Sequence, residues 1–391
     1  MDDEPLTLQG LRRMLRSSRE IWDMTFAESG AQALDLLSQS RFDIIVSDML
    51  MPGMNGAELL SEVRSRHPTT VRFVLSGHAE RNLVLQSANS AHQFLAKPCQ
   101  PEVLKARVAR AAALAQSIRH DEPLRQALTQ MDRFPSVPSL YIDFVEQLLT
   151  DDGSVETIKD YVLKDIGLAA LLLKLVNSAF FGVARECSNA NEALELIGLD
   201  TLKSLVFSVS AVTSFDGALY RKESLEQIWV HSLNVAAAAK RIAQVENASD
   251  GTVNAAFFGG LFHDIGKFLF ALYRNEPFQQ AKALAADRRI ELWVAEQELM
   301  VVSHADAGGY LLGLWGLPSP VVESVAWHHT PAKSGTNGFS ALTAVHAANV
   351  LVHRRDQIGN DIPVPEIDSD YLNSTGLNDR MTAWTEVIEG D

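Results

Sequence analysis

Five residues in the first hundred positions carry the side chains that handling a phosphoryl group requires. Asp2, Asp3 and Asp48 offer carboxylates, Ser76 offers a hydroxyl and Lys97 offers an ammonium. Carboxylates that meet at one point repel one another, and a hard cation such as Mg²⁺ relieves this repulsion. A hydroxyl and an ammonium at the rim are suitable partners for phosphoryl oxygens. If the fold brings the five residues together, they predict magnesium-dependent phosphoryl transfer.

A second set of residues, beyond position 230, has the character of a metal site. Neutral imidazole together with carboxylate suits Fe, Mn, Zn or a similar ion. Lys267 lies one helical turn after the His263-Asp264 pair, where an ammonium can neutralise or position a phosphate. A histidine on an apolar helix face is more often a core residue than a ligand, so both interpretations stay open. The set consists of His231, His263, Asp264, His304, His328 and His329.

Strand-length apolar runs and helix-like periodic segments alternate over the first 118 residues. This alternation predicts a parallel sheet covered by helices. Ligands of such sheets bind at the carboxyl ends of the strands, which is where Asp48, Ser76 and Lys97 are expected. We expect strands over 22–27, 43–47, 71–75 and 93–96, and helices over 31–40 and 101–118.

Helical patterns replace this alternation in the rest of the chain. A polar joint at 119–130 is expected to continue the preceding helix, and prolines within 134–138 then open an all-helical domain of roughly 200 residues. A helix is expected over 340–354, followed by a loosely ordered acidic extension with a last short helix near 381–388. The clearest helices between them are expected over 166–176, 202–212 and 225–242.

The composition limits the class of protein. With 391 residues, 47% of them hydrophobic, the chain is long enough for two or three globular domains. Two cysteines cannot form a disulfide framework, which favours a reducing compartment. A net charge of −15 makes nucleic acid a poor partner, because phosphate contacts need cations. The acidic start and the lack of a run of about 20 apolar residues predict a cytoplasmic protein that does not span a membrane.

The motifs of the first 118 residues occur together in one known family. Their order and spacing resemble those of a response-regulator receiver domain. The resemblance implies that Asp48 accepts phosphate from a partner histidine kinase. The motifs are Asp2-Asp3-Glu4-Pro5, Asp48-Met49-Leu50-Met51-Pro52-Gly53-Met54-Asn55-Gly56, Ser76-Gly77 and Phe94-Leu95-Ala96-Lys97-Pro98.

The same resemblance implies roles for the neighbours of Asp48. Mg²⁺ would be held by Asp3, Asp48 and the carbonyl of Leu50, with Asp2 acting through water. Lys97 would contact the phosphoryl group, and the Lys97-Pro98 peptide would be cis, a form that proline allows at low cost. The switch that reports phosphorylation would be formed by Ser76 and Phe94.

One part of the receiver pattern is missing. A receiver begins with a hydrophobic strand that leads into its acidic pair, whereas this sequence begins at the pair itself. In the flavodoxin-like α/β sheet, with strand order 2-1-3-4-5, this strand is central, so its loss would leave 22–27 without a partner. Two interpretations follow: a start site placed too far downstream, or a degenerate receiver that no longer takes phosphate.

The later region resembles the HDOD branch of the HD superfamily of metal-dependent phosphohydrolases. HDOD domains are mostly regarded as regulatory output modules rather than as enzymes. The mark of the superfamily is His263-Asp264-Ile265-Gly266-Lys267. The further motifs are Asn177-Ser178-Ala179-Phe180-Phe181-Gly182, Ala193-Leu194-Glu195-Leu196-Ile197-Gly198-Leu199, Trp229-Val230-His231-Ser232, His304-Ala305-Asp306-Ala307-Gly308, Trp315-Gly316-Leu317-Pro318 and His328-His329-Thr330-Pro331.

This sequence departs from an active HD hydrolase in two places. Asn349 stands where a late aspartate is expected, so it keeps an oxygen donor but removes a charge that helps to hold a cation. The segment after His329 lacks the Gly-Tyr-Pro pattern of the related cyclic-dinucleotide phosphodiesterases. A first metal would use His231, His263 and Asp264, a second would use His304, His328 and His329, and two metals would clamp a phosphodiester.

These expectations combine into a two-component response regulator. Its receiver (1–118) and helical linker (119–133) precede an HDOD domain (134–331) and a helical extension with an acidic tail (332–391). The HDOD domain would act by binding a downstream signalling protein or a ligand. The rival hypothesis is a receiver-controlled, metal-dependent phosphodiesterase that acts on a cyclic (di)nucleotide. A third hypothesis is a constitutive scaffold whose receiver serves to form a homodimer.

Overall fold

The computed structural model describes residues 1–77, 90–118, 121–131, 160, 162–177, 187–197, 225–356 and 364–389. The chain forms two compact units, the first chiefly from residues 1–133 and the second chiefly from residues 134–391. Several expected features lie outside the described residues. They are the helix over 202–212, the helix break at 134–138, and motif residues 178–182 and 198–199.

A three-stranded parallel sheet, ordered β1-β2-β3, is the centre of the first unit. Its register pairs Asp48 with Leu75 and Ser76 with Ala96, so the strands end at one edge. Three of the four expected strands are thus confirmed. The elements are β1 (Ile44–Asp48), β2 (Val71–Ser76), β3 (Gln93–Ala96), α1 (Pro5–Met14), α2 (Gly30–Gln39), α3 (Gly56–Arg66), α4 (Pro101–Ser117) and α5 (Glu122–Gln130).

The prediction of a fourth strand over 22–27 is wrong. A strand needs a hydrogen-bonding neighbour along its length, and among the described residues one backbone hydrogen bond joins this segment to a distant part of the chain. The backbone N–H of Asp2 donates to the carbonyl of Ala27 at 3.3 Å. On the other side, the amino group of Met1 donates to the carbonyl of Val46 at 2.8 Å and the Met1 carbonyl accepts from the N–H of Asp48 at 3.0 Å. This bridge is too short to form a ladder.

The joint at 119–130 does not simply continue the preceding helix, because a separate helix, α5, begins at Glu122. The side chain of Asp121 caps α5 by accepting from the N–H of Leu124 at 3.0 Å. The carbonyl of Thr129, near the other end, accepts from the buried Arg72 guanidinium at 2.9 Å. It also accepts from Nε2 of His92 at 2.8 Å. These contacts attach α5 to the beginnings of β2 and β3.

The second unit is helical throughout its described residues. The stretch Asp250–Tyr273 is long and apolar enough to cross a membrane by length and composition alone. However, 83% of its most apolar window is buried inside the protein, as in a core helix. The helices are α6 (Ile166–Val176), α7 (Ala190–Ile197), α8 (Leu225–Val245), α9 (Asp250–Phe262), α10 (Ile265–Tyr273), α11 (Asn275–Arg288), α12 (Leu292–Met300), α13 (His304–Leu314), α14 (Ser319–Trp327), α15 (Ala341–Asp356), α16 (Ser369–Thr375) and α17 (Met381–Glu389).

The described part of the acidic extension is ordered, so the expectation of loose order is wrong there. Helix α17 confirms the last short helix and packs against α8 and α15. Trp384 is fully buried, and its indole N–H donates to Oε1 of Glu246 at 2.7 Å. Tyr371, on α16, is also buried, and its hydroxyl lies 2.7 Å from that of Thr343. Aromatic side chains thus offset the acidity that suggested disorder.

Candidate functional sites

The carboxylates that could hold Mg²⁺ lie together at the carboxyl end of the sheet. One oxygen atom from each of Asp2, Asp3 and Asp48 lies within 4.8 Å of the others. Asp48 is the last residue of β1, and the backbone bond from Asp48 to Met1 holds Asp2 beside it. Asp2 and Asp48 are buried, and Asp3 is partly buried. These three side chains form the carboxylate site.

Lys97 lies against the carboxylate site. Its Nζ is 2.9 Å from Oδ2 of Asp2 and 2.5 Å from Oδ1 of Asp48. Burial alone would lower the pKa of Lys97, but the bonds to Asp48 and Asp2 outweigh burial and raise it. Burial raises the pKa of Asp48 despite the opposing effect of Lys97. The Lys97-Pro98 peptide is cis, as the receiver resemblance implies.

The predicted switch residues are on the neighbouring strands. Ser76 ends β2 and Phe94 lies within β3, and both side chains are buried. Leu50 lies in the loop after β1, with its side chain half exposed. Gly56, the first residue of α3, lies so close to β1 that a Cβ there would overlap the carbonyl oxygen of Asp48. The absence of a side chain at Gly56 lets α3 begin directly beside the carboxylate site.

Asp264 is the centre of the histidine cluster in the second unit. It is buried in the turn between α9 and α10, and its Oδ2 is 2.6 Å from Nζ of Lys267. Its Oδ1 lies 3.2 Å from Nε2 of His304. Burial works to raise the pKa of Asp264, but His263, Lys267 and His304 outweigh burial and hold the pKa well below its usual range. Asp264 is therefore ionised at neutral pH.

Two histidines of the cluster have their tautomer fixed by the helix that precedes them. Nδ1 of His263 is 2.7 Å from the carbonyl of Gly260, and Nδ1 of His328 is 2.8 Å from the carbonyl of Val325. Because a carbonyl only accepts, each Nδ1 carries the proton and each Nε2 keeps its lone pair. Burial lowers the pKa of His263 to about 3 and that of His328 well below its usual value. Both rings are therefore neutral, as metal binding requires.

His304 has a different environment. Its Nδ1 lies 2.6 Å from Oε2 of the fully buried Glu296, and its Nε2 lies 3.1 Å from Nε2 of His329. Burial alone would lower the pKa of His304, but Glu296 and Asp264 outweigh burial and raise it to about 9. The ring of His304 thus lies between two carboxylates, with Glu296 at Nδ1 and Asp264 at Nε2.

The donors of this cluster fit a divalent transition metal. Among the described residues, the buried Nε2 atoms of His263 and His328 have no hydrogen-bond partner. Buried polar atoms are nearly always paired in native proteins, so two such atoms in one cluster point to a ligand. Nitrogen donors combined with a carboxylate suit Fe, Mn or Zn. The groups whose ligand atoms lie within 4.8 Å of one another are His231 with His263 and Asp264, and His304 with His328 and His329.

Asn349 lies beside the first of these groups. Its Oδ1 is 3.0 Å from Nε2 of His231, so the structure brings Asn349 next to one of the expected ligands. His353, one helical turn further along α15, packs its ring 4.2 Å from that of His231. Burial lowers the pKa of His353 to about 2. His353 is not among the candidate residues predicted from the sequence. Its spacing of four from Asn349 would place both on one face of a helix.

Other functional candidates were also missed in the sequence. Trp293 stacks on the ring of His329, with centroids 5.5 Å apart, and its indole N–H donates to Oε2 of Glu291 at 2.8 Å. Glu291 in turn lies 3.7 Å from Nδ1 of His329. Together with Glu296, these residues come from the segment just before His304. No motif marks them, because their proximity to the histidines results from the turn between α12 and α13.

Family comparisons agree with the two units. The HDOD domain family matches residues 134–331, half of the chain, and the response regulator receiver domain family matches residues 1–109. The chain therefore belongs to the HDOD family and carries a response regulator receiver domain. The expected family and the expected combination of an α/β receiver with an all-helical HDOD region are confirmed.

Individual relatives cover parts of the chain. The nitrate/nitrite response regulator NarL of Escherichia coli (strain K12) is 31% identical over 29% of this chain and 53% of NarL. A cyclic di-GMP phosphodiesterase of Thermotoga maritima is 25% identical over 28% of this chain and 29% of that protein. The crystal structure of the MmoQ response regulator from Methylococcus capsulatus has a TM-score of 0.45 and 18% identity, covering 64% of this chain and 97% of MmoQ. The chain spans about half or less of the curated relatives it matches.

Proposed function

We propose that Asp48 of this response regulator accepts a phosphoryl group from a histidine kinase and that its HDOD domain acts on a downstream partner. The observation that carries this proposal is the contact of Lys97 with both Asp2 and Asp48. Asp3 lies beside them. The carboxylate site thus combines a nucleophile, cation ligands and a cationic partner for phosphoryl oxygens.

The chemistry follows from these positions. A carboxylate oxygen of Asp48 attacks phosphorus, so a P–O bond forms while the P–N bond to the kinase histidine breaks. Mg²⁺, which Asp2, Asp3, Asp48 and the carbonyl of Leu50 would hold, supplies positive charge against the phosphoryl oxygens. Lys97 exchanges its contact with Asp48 for a contact with the transferred group.

The structural response to phosphorylation would begin at the strands next to β1. Ser76 and Phe94 are buried on β2 and β3, so recruitment of the Ser76 hydroxyl by a phosphoryl oxygen would change the packing of Phe94. We expect the HDOD domain to convert this change into binding of a downstream signalling protein or a ligand.

Phosphorylation can be tested on the full chain with acetyl phosphate and Mg²⁺, by measuring acid-stable but base-labile phosphate. We expect Asp48→Asn to abolish the signal. Asp35→Asn, which alters an exposed acid of α2, should label as the wild type does. Equal labelling of Asp48→Asn, or none in the wild type, would overturn the proposal and favour the scaffold hypothesis.

A second candidate function is metal-dependent hydrolysis of a phosphodiester by the HDOD domain. It is favoured by the Nε2 atoms of His263 and His328, which have no hydrogen-bond partner within the described ranges and lie beside Asp264. The two groups of ligands would each hold a divalent metal, which would supply an activated water and a clamp for phosphate oxygens. Lys267, which now contacts Asp264, would bind a further phosphate oxygen. The missing charge at Asn349 weighs against turnover.

Elemental analysis of the purified chain and hydrolysis assays with cyclic dinucleotides test this candidate. We expect His263→Ala to lose bound metal, whereas Glu298→Gln, an exposed change on α12, should keep it. Metal without turnover would contradict the enzyme and leave a regulatory metal site. Turnover that disappears with His263→Ala would establish the enzyme.

A further inference from the structure

Glu296 is a buried charge that neither the family motifs nor the proposed phosphorylation explains. It lies on α12 and is fully buried. Its Oε2 accepts two hydrogen bonds from one residue, from the backbone N–H of His304 at 2.8 Å and from its Nδ1 at 2.6 Å. Among the described residues, its Oε1 has no hydrogen-bond partner. Burying a carboxylate is costly, so a positive charge nearby is expected to compensate for it.

The three histidines at the centre of the cluster differ in what holds Nδ1. Backbone carbonyls hold His263 and His328, whereas a carboxyl side chain, that of Glu296, holds His304. A carboxylate bonded to Nδ1 fixes the orientation of the ring and makes the lone pair of Nε2 a stronger ligand for a metal. That Nε2 lies between Oδ1 of Asp264 and Nε2 of His329, at 3.2 and 3.1 Å. Glu296 therefore acts on the nitrogen that connects the two groups of ligands.

We propose that Glu296 is a positioning residue for a divalent cation, and that it acts by orienting His304 and strengthening Nε2 as a ligand. This inference rests on the metal site of the second candidate function. Glu296 does not itself touch the metal.

A purely structural role for Glu296 is the alternative. The bond from the N–H of His304 joins α12 to the first turn of α13, so Glu296 also contributes to folding. Two substitutions separate the roles. In Glu296→Gln the amide oxygen can still accept both bonds and the NH₂ group takes the place of Oε1, so shape is kept and charge is lost. Glu296→Ala removes both the shape of the side chain and its charge.

The test is calorimetric titration of the metal-stripped full chain with Zn²⁺, together with thermal unfolding of each variant. We expect Glu296→Gln to melt near the wild-type temperature but to bind Zn²⁺ about 10-fold more weakly, and Glu296→Ala about 100-fold more weakly. Glu298→Gln, two residues along the same helix, should bind as the wild type does, because Glu298 is exposed and paired with Arg288. The visible spectrum of the Co²⁺-loaded protein should also change in Glu296→Gln.

The outcomes distinguish the existence of the metal site from the role of Glu296 in it. If the wild type and Glu298→Gln bind no Zn²⁺, the metal site itself fails. If the wild type binds and Glu296→Gln binds equally well with the same Co²⁺ spectrum, the metal site stands and the role of Glu296 is overturned. A lower melting temperature with unchanged affinity would show that Glu296 is structural only.

Discussion

The carboxylate site of the first unit and the histidine cluster of the second both place a lysine against a buried aspartate. Nζ of Lys97 contacts Asp2 and Asp48, and Nζ of Lys267 contacts Asp264 at 2.6 Å. The donors around these pairs differ. The first site offers oxygen, which suits the hard cation Mg²⁺, and the second adds imidazole nitrogen, which suits transition metals.

Solvent access separates the two sites further. The side chain of Lys97 is 32% exposed, whereas that of Lys267 is 14% exposed. A partly open site can exchange a cation and admit a phosphoryl donor, while a closed one retains what it binds. The comparison indicates that the first site is suited to a transient modification and the second to a resident ligand.

The largest expected effect comes from removing the buried aspartate of the histidine cluster, with the corresponding change at the carboxylate site as the comparison. Asp264→Asn leaves Lys267 and His304 without their shared carboxylate, so we expect a loss of about 3–5 kcal/mol of stability in the second unit. Asp2→Asn should cost the first unit about 1 kcal/mol or less, because Lys97 is partly exposed and keeps Asp48. Denaturant titration followed by hydrogen exchange gives each unit its own value. Equal losses would contradict the difference in burial between the sites.

A smaller effect is expected from the glycines that let helices approach each site. A Cβ at Gly266 would overlap the carbonyl oxygen of His304, as one at Gly56 would overlap that of Asp48. We expect each change to alanine to cost about 1–3 kcal/mol, because backbone must move. Gly251→Ala, where the nearest atom is 3.8 Å away, should be neutral or stabilise α9 by up to about 1 kcal/mol. Thermal unfolding of the three variants checks this order.

The sequence predicted those parts of the sites that chain order alone determines. Parallel strands end at one edge, so Asp48 and Lys97 could be expected to meet. Glu296 could not be found in this way, because it is one of three glutamates between positions 291 and 298 and its burial depends on the packing of α12. The strand over 22–27 failed for a related reason: local propensity was present, but within the described part of the chain a single backbone bond, from Asp2, reaches it from a distant segment.

Buried histidines extend the comparison between the units. In the first unit, His92 has both ring nitrogens bonded to the protein, since Nδ1 accepts from the N–H of Arg72 at 2.8 Å and Nε2 donates to the carbonyl of Thr129. In the second unit, His263 and His328 have one nitrogen bonded and one unpartnered among the described residues. We therefore expect His92 to be a structural residue whose titration affects stability but not metal binding.

The pH dependence of stability tests this last difference. Burial, followed by the nearby Arg72, lowers the pKa of His92 well below 6.5, so the unfolded chain takes up a proton at a pH where the folded chain does not. The neutral His92 ring therefore contributes to the free energy of unfolding. This contribution is complete above about pH 6.5 and is lost as the pH falls towards the folded-state pKa. Relative to His92→Gln, whose amide can keep both bonds, the wild type should lose about 1.4 kcal/mol between about pH 7.5 and 5.5. The measurement is the unfolding free energy of the first unit at both pH values, with Zn²⁺ binding unchanged in the variant. A difference that does not vary with pH would mean that folding leaves the pKa of His92 unchanged, so the bond that its Nδ1 accepts from Arg72 would have to be abandoned.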